Sequence, residues 1–403
     1  MAEFFIGRQP ILDRNLKLYA YELLFRTGQK NFNPGNIDDD SATAQVIITA
    51  FTEIGLDNIV GDRLAFVNIP YKFIAHPDLL PMHPEQVVLE VLETVTIDET
   101  SIAGIKNLAE RGFTIALDDF IYSAEYDQVL PSIDVIKLDI TQIDPERWAD
   151  EISKLRQYGC HILAEKVETA DEFETLKSLG VDYYQGYFFA KPKVISGKRI
   201  ASNKLGLLQM LAKINNPATE IEELSDLISK DVAISVKSLN YVNSPASGLN
   251  RTVDSVREAI VYLGRDTIKS WVTLFVMASV DDKPDELMTM ALVRAKLCEL
   301  LARTSGIEGE DAFFTVGLFS ILDSLMDTPL DEVLGQISTT PEMREALINH
   351  TGDKGNALRC AMDLEFGFAA GLSFGDLDEY AISDLHLEAM RWADASLQEL
   401  GIR

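Results

Sequence analysis

The spacing of apolar residues divides the 403-residue chain into two parts with different predicted structure. Up to about residue 192, short runs of β-branched and aromatic residues alternate with stretches in which apolar residues recur at helical spacing. Strands that alternate with helices are typical of a parallel sheet, and this rhythm predicts an α/β fold, a (β/α)8-like barrel. The predicted strands are Phe4–Ile6, Leu16–Phe25, Leu64–Asn68, Val87–Leu92, Thr114–Asp118, Val135–Leu138, His161–Glu165 and Tyr183–Gln185.

Two further features refine this predicted barrel. The first two strands are close in the sequence, with the polar residues Asp13–Asn15 between them, so we expect these strands to pair as a hairpin. One strand of the barrel would then be antiparallel. Helical spacing between the strands predicts outer helices at Ser41–Ile54, Ile102–Arg111, Ala149–Tyr158 and Ala170–Leu179.

The strand pattern disappears in the second part of the chain. Residues 193–203 have no strong pattern and predict a linker, which places the barrel domain at 1–192 and a second domain at 204–403. Apolar residues at helical spacing predict that the second domain is all-helical. The predicted helices are Leu205–Ile214, Ile221–Ile228, Ala233–Tyr241, Val253–Leu263, Ile268–Met277, Leu287–Ala302, Phe313–Met326, Pro341–Asn349, Ala357–Phe366 and Leu385–Leu400.

Composition limits the classes of protein to which the chain can belong. A hydrophobic content of 47% and a net charge of −28 are typical of a soluble globular protein and disfavour a nucleic-acid polymer as partner. No apolar run approaches the ~20 residues of a membrane helix, and the N-terminus has no signal-peptide pattern. The 3 cysteines lack metal-type spacing, so we expect free thiols, a cytoplasmic protein and no membrane partner.

Acidic and amide residues lie at the ends of most of the predicted strands, where the active sites of such barrels form. Carboxylates that converge at one barrel mouth would repel each other, and Mg²⁺ or Mn²⁺ would relieve that repulsion. Two such ions could activate a water and stabilise the leaving oxygen in phosphodiester cleavage. A single strand glutamate is more often solvated, and a paired aspartate more often belongs to a turn. The placement of the whole set therefore favours a site.

The order of these motifs resembles that of the EAL domain. The chain reads YELLFR, FVN, LEVLE, LDDF, VIKLD, AEKVE and QGYFF in the family's order, over roughly residues 3–192. The resemblance implies a barrel that binds cyclic di-GMP and, when active, acts as a phosphodiesterase that yields linear pGpG. By position it implies first-metal ligands at Glu22, Asn68, Glu90 and Asp118, a second-metal ligand at Asp119, catalytic roles for Lys137, Glu165 and Glu168, and substrate contacts from Leu24, Arg26 and Gln185.

The chain departs from the EAL pattern at two places that matter for chemistry. The family follows its Asp-Asp-Phe with Gly-Thr-Gly-Tyr-Ser-Ser, whereas this chain has Ile121–Tyr126 without a glycine. Because glycine permits backbone angles that other residues tolerate poorly, this loop is expected to follow another path. Lys166 replaces a glycine of the family and brings a positive charge into the metal neighbourhood.

The second part of the chain resembles the HDOD domain, a relative of the HD phosphohydrolases. The resemblance is carried by Ile228, Asp231, Lys237, Leu239, Asn243, Ser244 and the pair Leu263-Gly264. Where the HD enzymes have their His-Asp pair, this chain has Ser320 and Ile321, so we expect no metal in this domain. His350 is expected at a helix C-terminus and His386 in a surface turn.

These resemblances together predict a bacterial signal-transduction protein of the cyclic di-GMP network. The favoured hypothesis is a barrel that binds the nucleotide with little hydrolysis, joined to an HDOD domain that holds a protein partner. The alternative is an active, Mg²⁺- or Mn²⁺-dependent cyclic di-GMP phosphodiesterase. A homodimer and a purely structural role for the helical half are left open.

Overall fold

The computed structural model describes most of the chain, and two compact units emerge from it. The units are Met1–Phe188 with Leu364–Gly371, and Phe189–Asp363 with Leu372–Arg403. The described residues are 4–27, 55–80, 82–190, 210–215, 219–229, 238, 242–243, 253, 255–277, 283–337, 339–365, 367–368 and 371–399. The predicted linker 193–203 and the predicted helix Ser41–Ile54 lie outside these residues. So do the predicted helix Ala233–Tyr241 apart from Ser238, and the first half, 205–209, of the predicted helix Leu205–Ile214.

The first unit contains the predicted barrel. Strands β1 to β8 follow one another around a closed barrel in chain order. β1 pairs antiparallel with both β2 and β8, whereas the other neighbours pair in parallel, so the prediction of one antiparallel strand is confirmed. The strands are Phe4–Asp13, Leu18–Thr27, Leu64–Asn68, Val87–Val91, Thr114–Leu117, Val135–Asp139, His161–Glu165 and Tyr183–Gln185.

β1 is the strand for which the sequence prediction was least accurate. Its predicted end was Ile6, but it continues to Asp13. The added residues Gly7-Arg8-Gln9-Pro10 have no apolar alternation, yet they pair residue by residue with β2. Tertiary pairing outweighs local propensity here, as is common in sheets.

Helices pack around the described strands of the barrel. They are α1 (Asp57–Val60), α2 (Tyr71–Ala75), α3 (Glu99–Glu110), α4 (Trp148–Arg156) and α5 (Ala170–Ser178). Two of them begin with a capping box, in which side chain and backbone of the first turn satisfy each other: Asp98 with Ser101 in α3, and Thr169 with Glu172 in α5.

The second unit is helical, as predicted. Its described helices are α6 (Ile221–Ser229), α7 (Val256–Leu263), α8 (Arg265–Met277), α9 (Asp285–Thr304), α10 (Glu310–Phe319), α11 (Leu322–Met326), α12 (Leu330–Leu334), α13 (Pro341–Asn349), α14 (Gly352–Glu365) and α15 (Glu379–Glu399). No helix in the described residues has the length and apolar character needed to cross a membrane. The three cysteines are free and buried.

Two predictions for this unit were wrong, and one was confirmed. The predicted helix Phe313–Met326 breaks at Ser320, whose hydroxyl donates to the Gly317 carbonyl at 2.7 Å, and Ile321 leaves the helical region at ψ 6°. His386 does not lie in a surface turn, because it is 3% exposed within α15. His350 ends α13 in a left-handed conformation with φ 52°, as expected for a helix C-terminus.

The stripe of buried residues along α15 explains the error at His386. Ile382 precedes His386 by one helical turn and Ala389 follows it by nearly one turn, and both are fully buried. The imidazole therefore lies on the apolar face of the helix, which the polar neighbours of His386 in the sequence obscured.

A close approach between α2 and α3 gives a test of this packing. A Cβ atom at Gly104 would lie 1.8 Å from the carbonyl oxygen of Ile74. Replacing a helical glycine by alanine normally stabilises a protein by up to about 1 kcal/mol. For Gly104→Ala we expect the opposite sign, a loss of roughly 1–3 kcal/mol, because the helices must move apart.

Urea unfolding of the full chain measures this effect. Lys106→Ala, on the exposed face of the same helix, is the control and should change stability by less than about 0.5 kcal/mol. A Gly104→Ala protein that is more stable than the wild type would contradict the described contact.

A carboxylate site at the mouth of the barrel

The barrel interior is built in layers, and one of them is apolar. Ile11, Ala20, Phe66, Val88, Ala116, Val135 and Leu163 form a buried cluster contributed by seven strands. Since side chains along a strand alternate between faces, the residue two positions further on points into the barrel again. In β2 to β7 that residue is polar: the next layer consists of Glu22, Asn68, Glu90, Asp118, Lys137 and Glu165.

The ammonium group of Lys137 lies at the centre of this polar layer. Its Nζ is 2.6 Å from Glu90 Oε1, 2.8 Å from Asp118 Oδ1, 3.0 Å from Glu165 Oε1 and 3.5 Å from Glu22 Oε2. The Lys137 side chain is 1% exposed. Burial alone lowers the pKa of the Lys137 amine, but the surrounding carboxylates outweigh it and raise that pKa well above its ordinary value. Lys137 is therefore charged at every physiological pH.

The carboxylates carry more negative charge than one ammonium can neutralise. Burial raises the pKa of Glu90 well above its ordinary value, and the nearby charge of Glu22 adds to the effect. Burial likewise raises the pKa of Glu165 to about 8, against the opposing effect of Lys137. Such a layer favours the uptake of a proton or of a cation.

Several oxygens of the site are buried without a hydrogen-bond partner among the described residues. They are Asn68 Oδ1, Glu90 Oε2 and Asp119 Oδ1. Carboxylate and amide oxygens are the ligands that Mg²⁺ and Mn²⁺ prefer, so the donor chemistry fits a hard divalent cation. Within the described residues, however, no group of three or more His, Cys, Asp and Glu side chains is arranged to hold a metal ion. The carboxylates are instead oriented towards Lys137.

Gln185 fixes the position of Glu22. Its Nε2 donates to Glu22 Oε2 at 2.6 Å and to Gln9 Oε1 at 2.9 Å. Gln9 was not predicted as part of the site. It pairs directly with Glu22 across β1 and β2, but the predicted end of β1 at Ile6 had left it outside the barrel.

Asp139 is a second residue of the site that the sequence analysis missed. It ends β6, two positions after Lys137, and is 5% exposed. Its Oδ1 accepts hydrogen bonds from the Thr141 amide at 2.9 Å and the Thr141 hydroxyl at 2.6 Å, and its Oδ2 lies 2.5 Å from Lys166 Nζ. Burial acts to raise the pKa of Asp139, but these donors bring it below its ordinary value.

The loop after Asp119 turns its apolar side chains outward. Ile121 is 78% exposed and Tyr122 is 51% exposed. The Tyr122 hydroxyl donates to Asp127 at 3.0 Å, and its ring stacks near Tyr158. The segment without glycines therefore follows a path held by contacts with Asp127 and Tyr158.

The remaining predicted residues lie away from the cluster or have side chains outside the described residues. Glu168 is exposed beyond β7, where its backbone amide donates to Glu172 Oε2 at 2.8 Å. Leu24 is half-buried in β2, on the same strand face as Glu22. The side chain of Arg26 lies outside the described residues.

The helical unit places a buried positive charge beside Ser320. Arg294 is 3% exposed, and its Nη1 donates to Ser320 Oγ at 3.1 Å. A buried guanidinium at this position disfavours a divalent cation there.

The Lys137 cluster predicts a strong and pH-dependent effect of its removal. Lys137→Met leaves buried carboxylates without their counter-charge, so we expect a loss of about 3–5 kcal/mol of unfolding free energy at alkaline pH. A carboxyl whose pKa is raised in the fold destabilises the fold when it ionises. The loss should therefore be smallest below about pH 8, the pKa of Glu165 beside Lys137, and should grow above it, because removal of the ammonium raises that pKa further.

Urea unfolding of the full chain in EDTA at several pH values measures this dependence. Lys154→Met is the matched control, because Lys154 is 63% exposed and pairs with Glu151 at the surface. That control should change stability by no more than about 0.5 kcal/mol at any pH. An equally small effect of Lys137→Met would show that the cluster does not form.

Comparison with known proteins identifies both parts of the chain. Residues 72–192 match the EAL domain and residues 206–330 match the HDOD domain. A Vibrio cholerae protein named cyclic di-GMP phosphodiesterase CdgJ is 31% identical over 397 residues, which cover 96% of this chain and 92% of that protein. The uncharacterized protein YuxH of Bacillus subtilis is 29% identical over 402 residues, covering 96% and 97%.

A solved EAL domain protein from Listeria monocytogenes is 23% identical, covers 46% of this chain and 87% of that chain, and has a TM-score of 0.37. That score is too low to add to the assignment. The match to the Vibrio cholerae protein along almost the whole of both chains, with the two domain matches, shows that this protein belongs to the family in which an EAL domain is joined to an HDOD domain.

Proposed function

We propose that the barrel is a cyclic di-GMP binding site that depends on Mg²⁺ or Mn²⁺ and hydrolyses the nucleotide only weakly. The observation that carries this proposal is the buried polar layer, in which several carboxylates share the single ammonium of Lys137 and keep unpaired oxygens. A phosphodiester cannot approach such a negative surface unless a cation intervenes. The name of the Vibrio cholerae relative supports cyclic di-GMP as the phosphodiester.

Each part of the polar layer has a role in this proposal. Glu22, Asn68, Glu90 and Asp118 would hold the first cation, and Asp119 is the ligand that a second cation would need. A bound divalent cation would supply positive charge to the phosphate oxygens and lower the pKa of a coordinated water. Leu24 and Arg26 would contact the nucleotide, and Gln185 keeps Glu22 in place through the hydrogen bond already described.

Lys137 and Glu165 are the groups suited to handle protons and phosphate charge. The Lys137 ammonium is held by surrounding carboxylates, so its position is fixed before a ligand arrives. Glu165, with a pKa of about 8, can gain or lose a proton near neutral pH, as a general acid or base must. Glu168 would act from the rim of the barrel.

Weak hydrolysis is supported by the two departures from the EAL pattern. Phosphodiester cleavage requires the attacking water and the leaving oxygen to be aligned within a fraction of an ångström. Ile121 and Tyr122 of this loop are exposed, and the Tyr122 hydroxyl donates to Asp127. Lys166 places a further positive charge beside Asp139.

A second candidate function is an active cyclic di-GMP phosphodiesterase. The observation that favours it is the likeness to CdgJ, which carries that activity in its name and matches almost the full chain. The retained carboxylates and Lys137 are consistent with it as well.

We further propose the boundaries 1–192, 193–203 and 204–403 for the barrel domain, linker and helical domain, in a cytoplasmic protein. The helical domain would bind a protein partner, without metal and without hydrolytic activity. The match of residues 206–330 to the HDOD domain and the Ser320-Ile321 sequence in place of His-Asp support this role. A homodimer through the barrel is compatible with the exposed side chains of Ile121 and Tyr122.

The double variant Glu22→Gln with Asp118→Asn tests the cation site. It preserves shape but removes two charged ligands, and at about 1.4 kcal/mol each their loss weakens Mn²⁺ binding by about 100-fold. Cyclic di-GMP binding in Mn²⁺ should weaken in parallel. Isothermal titration calorimetry measures both affinities.

A charge-matched control is available on the surface. Glu146→Gln with Asp150→Asn changes the net charge by the same amount at two exposed positions, and should leave both affinities unchanged. Unchanged Mn²⁺ affinity in the Glu22/Asp118 variant would remove the site from the proposal.

The loop departures predict which changes restore hydrolysis. The variant I121G/Y122T/S123G/K166G brings the loop and position 166 to the EAL pattern. We expect its rate of cyclic di-GMP cleavage in Mn²⁺ to exceed that of the wild type by at least about 100-fold, since misplacement by ~1 Å costs about that much. Chromatography of the linear product measures both rates.

Two partial variants separate the causes. The I121G/Y122T/S123G protein isolates the loop, and the K166G protein isolates the charge. Rapid turnover by the unmodified chain would contradict weak hydrolysis and establish the second candidate.

A further inference from the structure

Two residues other than glycine adopt left-handed backbone conformations at the rim of the site. Lys166, directly after β7, has φ 57°, and Asp119, after β5, has φ 41°. Residues other than glycine rarely adopt this conformation, and when they do the cause is often functional. Both side chains are thereby placed near the carboxyl ends of the strands.

The Lys166 ammonium forms an ion pair with a buried carboxylate at this rim. Its Nζ lies 2.5 Å from Asp139 Oδ2, while the Asp139 side chain is 3% exposed. The other oxygen of Asp139 accepts both hydrogen bonds from Thr141. Both oxygens of Asp139 are therefore engaged while the pair with Lys166 persists.

Asp119 lies within the electrostatic reach of the same ammonium. The charge of Lys166 acts favourably on the Asp119 carboxylate. One carboxylate oxygen of Asp119 is buried without a hydrogen-bond partner. A cation at this oxygen would also meet the positive charge of Lys166, and like charges in a partly buried site repel each other.

We propose that Lys166 takes the place of a second divalent cation beside Asp119 and Asp139, so that each chain holds a single divalent cation. This inference rests on the proposed function, since it concerns the number of cations in that site. One cation suffices to neutralise a bound phosphate, whereas cleavage by two ions needs a charge on both the attacking and the leaving oxygen. With Lys166 in the place of a second cation, the site binds the nucleotide but lacks the second ion that cleavage needs.

The stoichiometry of Mn²⁺ in the full chain tests this inference without any measurement of activity. Equilibrium dialysis should give about one Mn²⁺ per chain for the wild type and about two for Lys166→Asn and Lys166→Gly. Asparagine and glycine remove the charge and tolerate the left-handed backbone. Lys166→Arg keeps the charge and should remain at about one.

Electron paramagnetic resonance gives an independent reading of the same samples. Two Mn²⁺ ions about 3.5–4 Å apart, as in two-metal sites, produce a coupled spectrum, whereas a single ion produces the spectrum of an isolated centre. We expect the coupled spectrum in Lys166→Asn and Lys166→Gly and the isolated one in the wild type and Lys166→Arg.

Each result decides between the inference and the function on which it rests. Two ions in the wild type, or one ion in both neutral variants, would overturn the role of Lys166 and leave the cation site standing. No Mn²⁺ in the wild type would overturn both.

Discussion

The buried ammonium of Lys137 is the interaction on which the rest of the site depends. It approaches four carboxylates from different strands within 3.5 Å. Each of those carboxylates is costly to bury alone, and together they would repel one another. Because the strands are fixed in a closed barrel, the ammonium and the acids hold each other in a fixed geometry. One ammonium does not neutralise all of these carboxylates, and the remaining negative charge can bind a cation.

The alternation of side chains along β-strands made much of this arrangement predictable. The strands from Leu64 to Asn68, His161 to Glu165 and Tyr183 to Gln185 have the bounds that the sequence predicted. Once the apolar residue of each strand is placed in the barrel, the polar residue two positions later must point inward as well. The gathering of Glu90, Asp118 and Lys137 therefore follows from pattern alone.

The features that the sequence analysis missed depend on contacts between distant segments. Gln9 reaches the site because β1 pairs with β2 beyond its apolar start. The pair of Lys166 with Asp139 joins the residue after β7 to the last residue of β6, and Lys166 has a left-handed backbone there. No local pattern encodes such contacts, because each partner satisfies the other only after folding.

The central claim is that excess buried negative charge makes nucleotide binding depend on a cation. Titration of cyclic di-GMP into the unmodified full chain, first with Mn²⁺ and then with EDTA, tests it most directly. We expect saturable binding in Mn²⁺ and none in EDTA, because the phosphates would then face the uncompensated carboxylates. Equal affinity in both conditions, or no binding in either, would contradict the account.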